Sequence, residues 1–323
     1  KSDLSSLPPG KTYTLPKGDL LLLFAMKISN SSSASRIRIT VAAGLIDVFI
    51  ISTELYYPLE YSLMEITGSL TDDIKIAPEW FHSSVSIKPR QEILKQPLGN
   101  VNYQVWDREN AKNIIVLIHG TGAHKRWWDP IAPLIDKSFS IIAPDLPGMG
   151  ESDHRKEYDF EDFSETLVAI MHQEKIVNAR QKIYLVGHSL GGHVAGFMAS
   201  EFPDLFHGVV MIDSPIRPPT YDYDKHQSTG PLRKIKYYPD KVSIIERFRL
   251  MPPQDCNNGW YLRYIAEHSI LNVEEGWRWR FDDKLFATLR RLHNYEFKFQ
   301  CPALFVAGGK SLLLESKIMK YIK

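Results

Sequence analysis

From about residue 92 onwards, apolar residues come in short, nearly unbroken runs at 101–105, 114–118, 140–143, 183–186, 209–212 and 303–306. Runs of that length, bounded by glycine, proline or charge, suit strands buried on both faces. Helix-length stretches lie between several of them, at 127–137, 160–174 and 193–201. Strand and helix in alternation predict an α/β fold: a mostly parallel sheet with helices on both faces.

Two regions break this rhythm. In residues 1–91, Ile37, Ile39 and Val41 alternate with Arg36, Arg38 and Thr40, a period of two that suits a strand. Shorter alternations at Ile74/Ile76 and Val85/Ile87 repeat the cue, so this region is expected to be β-rich. It carries no chemical motif. The second region, 215–294, holds Pro218-Pro219, Pro231, Pro239 and Pro252-Pro253 among many aromatics and arginines. It separates two strand-like runs by far more than an ordinary connection, which predicts an inserted helical cap. The core then comprises 92–214 and 295–323.

Composition narrows the function classes. The 323 residues are 44% hydrophobic, enough for a large buried core, and the formal net charge is +1. No global field would draw in nucleic acid or an anionic membrane. No apolar run reaches the roughly 18 residues of a membrane-spanning helix. Cys256 and Cys301 make neither a disulfide framework nor a zinc site and read as reduced thiols of a cytoplasmic protein. Asp222 and Asp224 have ligand-like spacing but lack the glycine and distal glutamate of a calcium loop. No metal or cofactor is expected; the partner is a small-molecule substrate.

The chemistry-bearing motif is Gly187-His188-Ser189-Leu190-Gly191-Gly192, between an apolar strand and a helix-like stretch. A nucleophilic serine needs a very tight turn there, and glycines let strand and helix pass closely. Such a turn aims the Leu190 N–H at a developing oxyanion, beside a helix N-terminus. Upstream, the run at 114–118 ends in His119-Gly120-Thr121-Gly122. The Thr121 N–H is the candidate second oxyanion donor, with Gly122 next, while His119 braces the loop. Asp145 to Ser152 forms a further tight loop at the same sheet edge, where strand ends in parallel sheets gather their chemistry.

These three motifs resemble, in order and spacing, the α/β-hydrolase superfamily, and most closely its capped esterase and carbon–carbon hydrolase branch. The resemblance covers about 92–323. It implies Ser189 as nucleophile and the amides of Thr121 and Leu190 as the oxyanion hole. A serine at position 189 disfavours the branches that use aspartate as nucleophile. The family commonly places its acid after the seventh strand, yet residues 307–312 hold no carboxylate. Some members place it one strand earlier, where Asp213 follows 209–212; Asp213 either orients the histidine or caps the strand end. The family histidine is not evident. His188 adjoins the nucleophile and is expected to point away from it, whereas His226, His268 and His293 fall in the cap. The expectation is that the histidine-bearing segment lies beyond Lys323; the other reading is a catalytically impaired binding protein of the same fold.

In the cap, Trp260, Tyr261, Trp277, Trp279 and Phe281 offer an apolar wall, and Arg263, Arg278 and Arg280 could meet a substrate carboxylate. Ordinary packing with arginines reaching to solvent accounts for the same residues. Trp260, Trp277 and Arg278 are the substrate-binding candidates. The sequence thus points to a serine hydrolase acting on an ester, thioester or activated carbon–carbon bond.

Overall fold

The computed structural model describes residues 72–177, 180–218, 236–251, 258–290 and, with gaps, 292–321. It also describes Cys256 and the backbone of three short strands before residue 50. Those strands are β1 (Thr12–Leu15), β2 (Arg38–Val41) and β3 (Asp47–Phe49). The other strands of the main sheet are β4 (Arg90–Leu94), β5 (Val101–Trp106), β6 (Asn113–Ile118), β7 (Phe139–Pro144), β8 (Lys182–His188), β9 (Gly208–Ile212) and β12 (Ala303–Gly308). Their order across the sheet is β1-β2-β3-β12-β9-β8-β6-β7-β5-β4. β12, β9, β8, β6 and β7 run parallel, and β5 and β4 add an antiparallel edge. All six expected core strands are present, and the predicted α/β class holds.

Strand alternation divides the core. Ile114, Val116 and Ile118 of β6 join one buried cluster, and Ile115 and Leu117 join the other. The first face is covered by α3 (Phe160–Gln173) and α4 (Leu190–Glu201). Asp159 caps α3, accepting the Asp162 N–H at 2.7 Å. The opposite face is covered at 125–135, but not by the expected helix. Two 3₁₀ turns, Lys125–Trp128 and Ala132–Leu134, stand there instead. Pro130 and Pro133 remove backbone donors that a continuous helix would need.

The strand cues at Ile74/Ile76 and Val85/Ile87 are also overturned. These residues belong to or flank α1 (Asp72–Lys75) and α2 (Glu79–Ser86). Pro78 precedes the first turn of α2, Glu79 favours its N-terminus, and Phe81 and Ser84 fall three apart on its buried face. Phe81 is fully buried, its ring 4.7 Å from that of Trp260.

The segment 215–294, expected as a helical cap, holds strands as well as helices among its described residues. It contains α5 (Lys241–Ile245), α6 (Gly259–His268), the antiparallel pair β10 (Ile270–Val273) and β11 (Gly276–Trp279), and α7 (Leu285–Thr288). Trp277 and Trp279 alternating with Arg278 and Arg280 give the hairpin its period of two.

Polar contacts fasten this hairpin to the core. The Gly150 N–H donates to the Arg280 carbonyl at 3.0 Å, and the Asp282 N–H to Gly148 at 2.8 Å. Behind them lies a buried ion pair. Lys125 and Asp145 are each 1% exposed, with Nζ 2.7 Å from Oδ2, and Asp145 also accepts the amides of Lys125 and Glu151. Lys125 reaches Glu151 as well, and Glu151 pairs with Arg280 at 3.0 Å. Burial of Glu151 opposes its charge, but Lys125 outweighs it and holds this carboxyl below the ordinary range.

Removing one partner of a buried pair leaves a charge without compensation, so Lys125→Met should cost about 3–5 kcal/mol. Denaturant titration measures this, and a loss under about 1 kcal/mol would mean the pair is not closed as described. A depressed carboxyl contributes stability above its unfolded pKa and loses it as pH falls through the folded value. Glu151→Gln should therefore flatten the acid side of the stability profile, read as Tm against pH between neutrality and about pH 3.

Candidate functional site

Register places the site. Ile118 of β6 pairs with Gly187 of β8, and His188 of β8 with Ile212 of β9, so the carboxyl ends of these strands come level. The chain then turns at Ser189, whose φ is 52° and ψ −117°, and enters α4 at Leu190. For a residue with a side chain that region costs on the order of 1–3 kcal/mol and persists only where neighbours enforce it. Here they do. The Ser189 N–H donates to Ile212 at 2.8 Å, and the Gly192 and His193 amides both return to the Ser189 carbonyl.

The glycines are required by contact. A Cβ on Gly187 would stand 2.0 Å from the Gly191 carbonyl oxygen, and one on Gly191 would stand 2.3 Å from that of Ile118. Strand, turn and helix therefore pass at backbone distance. Although Ser189 occupies the N-cap position of α4, its hydroxyl makes no capping hydrogen bond. It is half-buried.

The loop after β6 lies against the elbow. A Cβ at Gly120 would be 3.2 Å from the Ser189 Cβ and 3.0 Å from His188 Nδ1. His188 Nδ1 and the Ser189 Cβ thus both border the space beside Gly120. Burial keeps His188 toward its neutral form, with Asp213 acting in the other direction.

His119 is a brace. Its Nε2 accepts the Leu146 N–H at 3.0 Å, which leaves the proton on Nδ1, 2.8 Å from the Gly120 carbonyl. Burial lowers its pKa, so it links two loops as a neutral ring. The Gly122 N–H is taken by the Met149 thioether at 3.2 Å. Thr121 is exposed, and neither its N–H nor that of Leu190 meets an acceptor among the described residues. Met149 carries no signal in the sequence beyond its place in the glycine-rich loop.

Asp213 follows β9 directly, at φ 48°. Its N–H donates to the Val306 carbonyl at 2.7 Å; its Oδ1 accepts the Gly308 N–H at 3.1 Å and its Oδ2 the Ser311 hydroxyl at 2.8 Å. The carboxylate is therefore held between the ends of β9 and β12. Among the described residues, no histidine ring is hydrogen-bonded to the Ser189 hydroxyl. His193, one turn into α4, faces the Pro215 carbonyl at 3.0 Å and is lowered to about 4 by burial. The His268 ring lies tilted against that of Tyr264, with centroids 4.3 Å apart, and is likewise lowered to about 4 by burial. His226, His293, Asp222 and Asp224 lie outside the described residues.

The substrate-binding candidates between residues 215 and 294 are scattered. The Trp260 ring is enclosed by Trp80, Phe81 and Tyr261, a cluster that joins α6 to α2. Trp277 pairs through its backbone with Tyr238 and packs on the Ile244–Ile270 cluster. Arg278 donates to the carbonyls of Trp279 and Phe281. Phe281 does approach the site: it bridges to Met149, and its ring lies 3.9 Å from where a Gly122 Cβ would stand. Among the described residues, no group of three metal-ligating side chains occurs and no helix is long and apolar enough to cross a membrane.

A family model described as "Alpha/beta hydrolase family" matches residues 115–313. A pimeloyl-[acyl-carrier protein] methyl ester esterase from Neisseria meningitidis is 24% identical over 219 residues, 66% of this chain and 81% of that protein. A serine hydrolase-like protein from Danio rerio is 29% identical over 120 residues, 36% of each. The chain thus spans about a third of the length of the first curated relatives it matches. Among solved structures, a thioesterase domain from the curacin biosynthetic pathway superposes with a TM-score of 0.58 at 18% identity, covering 73% of this chain and 88% of that one. An esterase from Mycobacterium tuberculosis superposes at 0.54 and 19%, covering 81% and 86%. These likenesses concern the fold. The family match extends over more than half of the residues and encloses the strand, elbow and helix around Ser189, and the chain belongs to the alpha/beta hydrolase family.

Proposed function

We propose that this protein is a serine hydrolase that cleaves an ester, thioester or activated carbon–carbon bond of a small organic substrate. The observation that carries the reading is Ser189 itself: a strained, half-buried serine whose hydroxyl serves no capping role, with the Thr121 and Leu190 amides meeting no acceptor among the described residues. The names of the similar proteins, a methyl ester esterase and a thioesterase domain, favour acyl transfer.

In this reading the Ser189 Oγ attacks the substrate carbonyl carbon while a histidine imidazole takes its proton. The carbonyl oxygen becomes an oxyanion, which the N–H groups of Thr121 and Leu190 meet. Thr121 is preferred to Gly122 because Met149 already holds the Gly122 amide. Collapse of the tetrahedral intermediate breaks the bond to the leaving group, which takes the proton from the imidazolium. Water then attacks the acyl group on Ser189 by the same route. Asp213 orients the imidazole through the N–H that faces away from the serine. Phe281, on the hairpin beside the oxyanion loop, borders the acyl side of the substrate.

A fluorophosphonate probe should label the protein, and Ser189→Ala should abolish labelling. Probe incorporation at full strength in the Ala variant would place the nucleophile elsewhere. An unlabelled wild-type protein would favour the binding-protein reading. Asp213→Asn is a clean test of the acid, because asparagine tolerates the left-handed backbone at that position. Turnover of a p-nitrophenyl ester should fall by about 10³–10⁴ with the Tm nearly unchanged. Undiminished turnover would remove Asp213 from the mechanism.

A further inference from the structure

The loop after β12 lacks a carboxylate, yet it converges on one. Gly308 and Ser311 each donate to a different oxygen of Asp213, at 3.1 Å and 2.8 Å. The loop is closed by the Ser311 N–H on the Gly308 carbonyl at 3.1 Å. The direction of the serine hydrogen bond follows from its partners. Ser311 Oγ accepts the Leu313 N–H at 3.1 Å, and an amide can only donate. An ionised carboxylate can only accept, so the hydroxyl proton points at Asp213.

We infer that Ser311 is a positioning residue for the acid, setting the plane of the Asp213 carboxylate from the neighbouring strand; this rests on the reading of Asp213 as the residue that orients the histidine. One donor on each oxygen leaves a further lone pair on each for an imidazole N–H. Without such donors, a side chain at φ 48° on a strand end would have only its own torsions to hold it. Hydrogen bonds to a charged group are about twice as strong as neutral ones, which suits them to this task. The crossing is short because β9 and β12 are adjacent and in register, Val306 opposite Ile212. The fit is close, since a Cβ on Gly308 would lie 3.4 Å from Asp213 Oδ1. The β12 loop thus supplies the donor to an acid carried by β9.

The test measures inactivation by a fluorophosphonate, which separates the limiting rate from the half-saturating concentration. Ser311→Ala should slow the limiting rate by about tenfold and leave half-saturation unchanged. Ser311→Thr, which keeps the hydroxyl, should stay close to wild type. In an Asp213→Asn background, Ser311→Ala should add no further loss, because the two residues act as one unit. A wild-type rate in Ser311→Ala overturns the inference. So does the same loss in both backgrounds, or a Thr variant as slow as Ala; either result would mark a structural role alone. If Asp213→Asn itself reacts at the wild-type rate, the acid assignment fails and the inference falls with it. If Asp213→Asn is slow and Ser311→Ala is not, only the role of Ser311 fails.

Discussion

Ser189 stands at a backbone conformation that only a surrounding fold can impose, and the architecture near it can be understood as the means of imposing it. The Gly187–Gly191 approach brings the start of α4 within backbone contact of the end of β8. That closeness requires α4 to lie flat on β8 and β9, which its small and apolar buried residues permit: Gly192, Val194, Ala195 and Ala199. Strand register does the rest. Because β6, β8 and β9 end level, the loop carrying Gly120 and the turn carrying Asp213 flank the elbow without long excursions. A parallel sheet buried on both faces is stiff enough to hold such a turn, whereas an exposed hairpin would relax it.

A second constraint links the β10–β11 hairpin and the residues after it to this edge. The loop 145–152 is pinned from beneath by the Lys125–Asp145 pair and from above by the Gly150 and Asp282 backbone bonds. A Cβ on Gly150 would stand 2.2 Å from Asp145 Cγ, so the buried carboxylate and the loop backbone share one space. Burying an ion pair is costly, and removing either partner would leave the other charge uncompensated beneath the loop. Met149 sits at the centre of that loop. Its sulfur holds the Gly122 amide and its backbone bridges to Phe281. The segment following the hairpin and the loop after β6 are therefore coupled through one residue.

What was legible in the sequence follows from how local each determinant is. The core strands were legible because burial on both faces leaves an uninterrupted apolar run, and the elbow because its glycines are a steric necessity written in consecutive residues. The apolar spacing at 127–137 imitates a helix that Pro130 and Pro133 veto. Val85 and Ile87 imitate a strand period over three residues, while Phe81, the anchor of α2, faces Trp260 from far along the chain. Trp260 and Trp277 share one aromatic-rich stretch of sequence, yet each packs in a different cluster. Nothing local distinguishes a tryptophan that lines a pocket from one that joins two helices.

The donors around Asp213 are equally hidden in the sequence. The loop after β12 has no carboxylate among residues 307–312, so it reads as empty. In three dimensions it is occupied by the complementary group. The orientation of an acid depends on a carboxylate and on donors that fix its plane, and adjacent strand ends can divide those two tasks in either order. Here β9 carries the carboxylate of Asp213, and β12 leads to its donors, the Gly308 amide and the Ser311 hydroxyl. A serine is sufficient for the second task because its hydroxyl, already engaged by the Leu313 N–H, has one direction left in which to donate. Geometry that is shared between two strands leaves no motif in either one, and it becomes visible only when their ends are brought side by side.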